Sequence, residues 1–317
     1  MPETRPSMSP RALLAPRKAS SSTSTTRTGG GTTRLAKPTF SPTTKLYEGE
    51  RLELIHHLVT LRLNGALHLA PISPQPHRIL DLGTGTGNWA VDVAVKYPSA
   101  TVHGIDVSPT QVESYPPNVR FEIDDVEEPW TYTYSFNLIH GRYLAGAIKD
   151  WPRLLAQAYR QTTYGGWAEF HEFDMEFLAE NPETRGKIRE TGIIDEWSRQ
   201  IADGIRDYGY EPEPGPKLRE WLAEAGFVDV TQDVFTMPVG DWGRQEDLRE
   251  VGGLTLMALL DGITAMSLRV FTAKGWNLES MHVYLAHVRK SLQDRTKMRE
   301  HKLYVIRGRK SHLKVRH

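Results

Sequence analysis

The chain predicts an α/β fold, a doubly wound and largely parallel sheet with helices on both faces, and three observations lead there. Strand and helix patterns alternate between Arg78 and Phe173, which is the signature of a parallel sheet wound by right-handed crossovers. Within that stretch, strand, glycine turn, helix and strand succeed one another in about thirty residues, the span of one βαβ unit. The length of 317 residues with 39% hydrophobic content suits one large α/β domain, or one domain with a cap.

Each element follows from its pattern. Residues 1–44 hold seventeen Ser/Thr, six prolines and the triplet Gly29-Gly30-Gly31, too little apolar surface to offset the entropy of ordering, so a basic disordered tail is predicted. The methyl-rich positions Leu52, Ile55, Val59 and Leu63 recur at helical spacing and give an N-terminal helix, followed by a proline-punctuated link from Pro71 to Pro76. The first strand is Arg78 to Asp81, and Trp89, Ala90, Val93, Ala94 and Tyr97 line one face of the helix after it. The second strand is Thr101 to Asp106, and Val119, Phe121 and Ile123 alternate in a third. Phe136 to His140 and Trp167 to Phe170 read as strands four and five, separated by a helix from about Pro152 to Arg160 that buries Leu154, Leu155 and Ala158. Helical insertions at about 183–207 and 244–292 are long enough to cap the sheet's carboxyl edge. Between them a helix from Leu218 to Ala225 ends at Gly226 and feeds a strand from Phe227 to Val234; Leu303 to Arg307 is the last strand, and 311–317 a basic tail.

Composition narrows the chemistry. The chain has no cysteine, which removes disulfides, thiolate metal sites and cysteine nucleophiles. No run of about 18 apolar residues and no secretory signal is apparent, so neither a membrane span nor export is predicted and an intracellular protein, cytoplasmic or nuclear, is expected. The zero net charge conceals asymmetry: residues 1–45 carry +7, residues 295–317 carry +8 and the middle −15. Charge of this kind in tails is read as solubilising, and nucleic acid is not indicated.

The segment Asp81-Leu82-Gly83-Thr84-Gly85-Thr86-Gly87 follows a buried strand and opens a helix, where bare backbone and N–H groups admit a nucleotide-type ligand. A dinucleotide fingerprint needs a third glycine where Asn88 stands, and Asp81 before the loop would repel a pyrophosphate while suiting a cationic aminoacyl sulfonium. S-adenosyl-L-methionine is therefore favoured over a nicotinamide dinucleotide. Asp106, with Val107 after it, ends the second strand nineteen residues past Gly87, where a carboxylate accepts ribose hydroxyls in either cofactor. Asp124-Asp125 close the third strand, where a carboxylate binds an exocyclic amine, with Val126 as apolar neighbour of the ring.

These residues resemble a class I S-adenosylmethionine-dependent methyltransferase, and more narrowly the fungal LaeA-like family. The similarity runs from about Tyr47 to Lys310 and also rests on Pro116 to Asp125, on Leu144 to Trp151 and on Gly165 to Phe173. It implies a Rossmann-like seven-stranded sheet whose last strand enters antiparallel beside the fifth. It also implies cofactor contacts at Asp81, Gly83, Gly85, Asp106, Asp125 and His140. Two positions depart from the family pattern: Asn137 replaces the usual acid of the fourth strand, and Tyr164 the proline before the paired glycines.

Methyl transfer from a sulfonium is an in-line displacement, in which a protein mainly orients the nucleophile and excludes water. Should the acceptor need deprotonation, titratable groups at strand carboxyl ends are the candidates, with His171 ranked first and Glu172 beside it. His140 is assigned to the cofactor instead. The adjacent His56 and His57 diverge by about 100° on a helix and lack a third ligand, so no metal is expected. Aromatic and methionine residues of the insertions, among them Trp197, Trp242, Met257 and Met266, suit an apolar pocket for a small-molecule substrate. A regulatory member of the family working through a protein partner is the alternative.

Overall fold

The computed structural model describes residues 42–180, 187–189, 191–243 and 245–311. The N-terminal tail up to residue 41 and the C-terminal residues 312–317 lie outside the described residues. The first helix, α1, spans Pro42–Arg62, so it takes in residues 42–44 that the sequence reading gave to the tail.

Five parallel strands form the body of the sheet: β1 (Arg78–Leu82), β2 (Thr101–Asp106), β3 (Val119–Ile123), β4 (Phe136–Arg142) and β5 (Thr162–Phe173). They lie in the order β3-β2-β1-β4-β5. The chain winds outward through β2 and β3, then returns to place β4 on the other side of β1, pairing Ile79 with Leu138 and Leu82 with Gly141. The direction of winding thus reverses between β1 and β4, the crevice where such sheets bind ligands.

Two helices start on local signals. α2 (Asn88–Lys96) begins at Gly87, whose left-handed backbone turns the chain out of the strand. α3 (Trp151–Gln161) is capped by Asp150, whose carboxylate accepts from the Arg153 N–H, with Pro152 in the first turn. α2 covers one face of the sheet, where Trp89 and Val93 pack on Ile79, Val102 and Leu138. α3 covers the other with α5 (Gly215–Glu224), burying Leu155 and Leu222 against Leu80, Ile139 and Phe170. Ile123, expected on the buried face of the third strand, is 65% exposed; β3 is the edge strand of the sheet.

Past β5 come a hairpin, β6 (Leu178–Glu180) and β7 (Lys187–Arg189), then α4 (Ile193–Asp207), and after α5 the strand β8 (Val228–Val239). Lys187 to Arg189 were expected in the first helical insertion; they pair with β6 instead. β9 (Arg299–Arg309) enters antiparallel beside β5, joining Phe170 to Ile306, and β8 pairs along its outer side. These are the seven strands the family resemblance implies; the hairpin continues β5's lane by pairing Leu178 with Glu300.

The second insertion consists of α6 (Glu246–Ala273) and α7 (Leu278–Leu292). α6 carries an 18-residue window of mean hydropathy 1.6, long and apolar enough to cross a membrane on composition alone, a feature the sequence reading did not flag. Here it packs against α1, α4, α7 and β8. Asn137, in place of the family's acid, accepts the N–H groups of His77 (2.8 Å) and Arg78 (3.0 Å) and so caps the entry to β1, well away from the carboxyl edge.

Candidate functional site

At the crevice, the loop from Gly83 to Gly87 turns sharply enough that Gly83 and Gly87 take φ of +60° and +84°. Asp106 pins this loop: one carboxylate oxygen accepts the Gly85 N–H (2.9 Å) and the other the Ser108 N–H (2.9 Å). The segment after β2 then folds back, Thr110 and Gln111 donating to the Gly85 carbonyl at 3.1 and 3.0 Å. Val107 is 42% exposed at the rim. Asp125 caps its own turn by accepting the Glu127 N–H at 3.1 Å. Val126 points into the core beside Leu82 and Ile105 rather than standing at the surface. The glycine turn, the anchored carboxylate of Asp106 and the acid after β3 together suit an adenosyl group.

Beneath the loop is a buried polar layer. Asp81 Oδ2 accepts the Thr84 hydroxyl (2.6 Å) and Oδ1 accepts from His140 Nδ1 (2.7 Å). His140 in turn stacks on Trp89, ring centres 3.6 Å apart. Burial pushes the Asp81 carboxyl up to about 6, against the opposing pull of Thr84 and Arg142. Burial also drives His140 well below the ordinary histidine range, so it is a neutral donor to Asp81. His140 has no exposed surface; the expected cofactor contact is corrected to a support under Asp81.

The two expected bases are likewise enclosed. His171 and Glu172 have no exposed surface. His171 Nε2 donates to Glu169 Oε1 at 2.6 Å, and Glu169 accepts the N–H groups of Leu69 and Ala70. Burial would raise the Glu169 carboxyl, but His171 and the Leu69 N–H hold it below its usual range. Glu172 points to the opposite face of the strand, accepts the N–H groups of Leu144 (2.8 Å) and Ala145 (3.1 Å), and is pushed by burial up to about 8 despite them. Neither lines the cavity that opens beside Tyr143. Glu172 directly, and His171 by way of Glu169, fasten backbone that would otherwise bury unpaired N–H groups, and their assignment as acceptor bases is withdrawn on that geometry.

What the sequence reading missed lies on α1 and at the end of β4. Leu52 and Gly49 of α1 rest over Gly85 and Thr86. His56 Nδ1 accepts from Arg142 Nη2 (3.0 Å), which fixes its tautomer, so Nε2 donates to Asp92 Oδ2 (2.9 Å). Next to Arg142, Tyr143 takes a positive φ of 60° and its hydroxyl accepts from Arg51 (3.3 Å). From there a cavity of about 60 Å³ runs between Arg51, Tyr143, Phe173, Trp197, Met266 and His301. The signal for Arg142 was present: two residues past His140, it shares that residue's face of the strand.

Comparison with known proteins identifies the family. A family model described as a methyltransferase domain matches residues 55–232. Methyltransferase pytC of Aspergillus terreus is 38% identical over 244 residues, 76% of this chain and 74% of its own. The chain belongs to the methyltransferase-domain family. Within it, the methyltransferase resembles the secondary metabolism regulator LAE1 of Cochliobolus heterostrophus (33% identity, 76% of this chain, 78% of that one). It is also similar to the probable methyltransferase tdiE of Emericella nidulans (30%, 83% and 82%). Among solved structures, Haemonchus contortus phosphoethanolamine N-methyltransferase 2 aligns with a TM-score of 0.46 at 17% identity, over 83% of this chain; the chain spans about half (52%) of that enzyme. As a member of this family, the chain is an S-adenosylmethionine-dependent enzyme of LaeA-like type.

Proposed function

We propose that the enzyme transfers a methyl group from S-adenosylmethionine to a small, largely apolar organic acceptor of fungal secondary metabolism. The cavity between α1, α4, α6 and the carboxyl ends of β4 and β5 carries this reading. It begins at Tyr143, the residue before Leu144, whose side chain lies against Gly83 of the glycine loop, and its walls are aromatic and aliphatic with few polar groups. The fungal relatives pytC and tdiE, both named methyltransferases, support the same class.

Bound methyl donor supplies its own driving force, so the chain's task is to align the acceptor and keep water out. One wall group suits the acceptor's proton. His301 lies near-parallel to Phe173 and Phe177, ring centres 5.3 and 5.5 Å away. Its Nδ1 faces the Asp174 carbonyl (3.4 Å), while buried Nε2 has no protein partner among the described residues. Burial pushes the ring down to about 4, so it enters the reaction neutral with Nε2 able to accept a hydrogen bond from a hydroxyl or amine. At about 60 Å³ the cavity is small beside the roughly 300–1,000 Å³ of typical ligand pockets, so a larger acceptor needs its helical walls to part.

Incubation with methyl-labelled S-adenosylmethionine and extracts of a producing fungus tests the proposal. Label should appear in a small molecule, and fall when His301→Ala or Trp197→Ala alters the cavity. Label confined to protein, or none with donor bound, favours the second reading, a regulator acting through partner proteins, to which LAE1 lends support.

A further inference from the structure

Arg142 stands at the carboxyl end of β4. Leu82 pairs with Gly141 in parallel register, so the next residue on each strand brings Arg142 level with Gly83, the first glycine of the loop. Strand alternation points its side chain to the same face as His140 and Asp81. The guanidinium is thus delivered to the crevice between β1 and β4, beside the buried carboxylate of Asp81.

The pairing of this cation is incomplete. Among the described residues its one hydrogen bond goes to His56 Nδ1, a neutral acceptor, and no carboxylate forms an ion pair with it. Four of its five N–H donors are left over. Burial lowers its hold on the proton to about 10, with Asp81 and Asp92 acting on it from a distance. None of its spare nitrogens is buried, so the free donors reach solvent, where an incoming anion can meet them.

The rest of the arrangement looks designed to keep the fork still. Asp92 on α2 accepts from His56 Nε2, and this bond orients the imidazole so that Nδ1 receives Arg142. Three elements, α1, α2 and β4, thereby fix one cation at the mouth of the glycine loop. A strut joining β4 to α1 needs no charge and no spare donors; a receptor for a planar anion needs both.

We propose that Arg142 anchors the carboxylate of the methyl donor's amino-acid end, with His56 and Asp92 as positioning residues behind it. The inference rests on the donor reading above. It places the donor's aminoacyl end under α1, on the same side of the sheet as Asp81, and gives α1 a direct part in cofactor retention.

Titration calorimetry on the full chain separates this role from a structural one. The probes are S-adenosylhomocysteine and its decarboxylated analogue, which keeps the amine and the nucleoside. Arg142→Gln should weaken S-adenosylhomocysteine at least about tenfold, the range for a hydrogen-bonded charge, and leave the analogue within about twofold. Equal losses for both ligands, or no loss for either, overturn the assignment, as does a wild-type protein that binds the two equally. A wild type that binds neither removes the donor reading itself. If Arg142→Gln does not fold, Arg142→Lys serves, since it keeps the charge and stem but loses the fork. A loss selective for the carboxylate-bearing ligand then supports the anchor, and an unselective one refutes it. His56→Ala should produce a smaller loss with the same selectivity.

Discussion

Replacing Gly87 by alanine tests whether the loop's shape is dictated by its neighbours. A methyl group built at Gly87 would lie 2.3 Å from Phe121 Cζ and 2.7 Å from Cε1, where carbon atoms ordinarily sit about 3.5–4.0 Å apart. The ring cannot easily retreat, because it also crowds Gly104 on β2 and stands edge-on to Tyr115. The left-handed backbone costs an L-residue about 1–2 kcal/mol, and overpacking adds about 1–3 kcal/mol. Against this, alanine restricts the unfolded chain and returns about 0.4–1 kcal/mol. Gly87→Ala should therefore destabilise by about 2–4 kcal/mol, read as a lower urea midpoint at constant slope. In a Phe121→Ala background the overlap is gone, and the same change should cost only about 1 kcal/mol, a coupling of about 1–3 kcal/mol between the two sites. A cost below about 0.5 kcal/mol, or one equal in both backgrounds, would show that the ring does not shape the loop.

Other predictions follow from single side chains. Asp106→Ala should weaken S-adenosylhomocysteine binding at least about tenfold, and unaltered affinity in calorimetry would remove the acid from the site. Asn137→Ala should cost about 0.5–1.5 kcal/mol, the net worth of a hydrogen bond at an exposed site, by removing the acceptor of the His77 and Arg78 N–H groups, whereas Asn137→Asp, the family's usual acid, retains the acceptor and should be near neutral; equal costs would refute the capping role. Glu172 titrates near 8 in the fold and near about 4.3 when unfolded. The native state therefore binds the extra proton, and this carboxyl's contribution to stability is lost as pH rises through that window. Glu172→Gln should flatten the pH dependence of unfolding free energy, most clearly between pH 6 and 8, above the value of about 6 for Asp81; an unchanged slope would reject the shift.

The sheet was legible because its determinants are local. Apolar runs, the glycine turn and the Asp150-Pro152 helix start specify elements one at a time, and right-handed winding leaves few ways to join them. β5 is a good example of the limit: only Trp167 to Phe170 read as strand, yet the chain is extended from Thr162 to Phe173. The extra residues include Gly165, Gly166, His171 and Glu172, whose place in a sheet is decided by β9 on one side and β4 on the other, more than a hundred residues away for β9. The same holds for the site. Asp81 and Asp106 announce themselves by position relative to the glycines, whereas Arg142 acquires meaning only when α1 is brought beside it, and His301 only when β9 sets it against Phe173 and Phe177. His56 shows the difficulty well: its sequence neighbourhood raised only a metal, and its partners lie on β4 and α2.

The polar residues that end β4 and β5 were natural candidates for chemistry, and their burial has a different logic. The connection from Asn64 to Ile72 must cross from α1 to β1 over the sheet, and doing so hides the N–H groups of Leu69 and Ala70. Glu169 supplies their acceptor, and His171 holds that carboxylate in place. On the other face Glu172 does the same for Leu144 and Ala145, which start the turn after β4 and set Leu144 against Gly83. Glu172, pushed up to about 8, accepts as a neutral acid at neutral pH, whereas Glu169, held below its usual range, accepts through a charged carboxylate and makes the stronger, charge-assisted bonds. Removing either leaves two donors stranded at once. The two glutamates thus brace the pieces of backbone that flank the glycine loop, one beneath the entry of the chain from α1 and one beneath the exit from β4. In the readings proposed above, the groups that would meet ligands are the ones presented beyond those braces: the loop itself, Asp106, Arg142 and the cavity wall at His301.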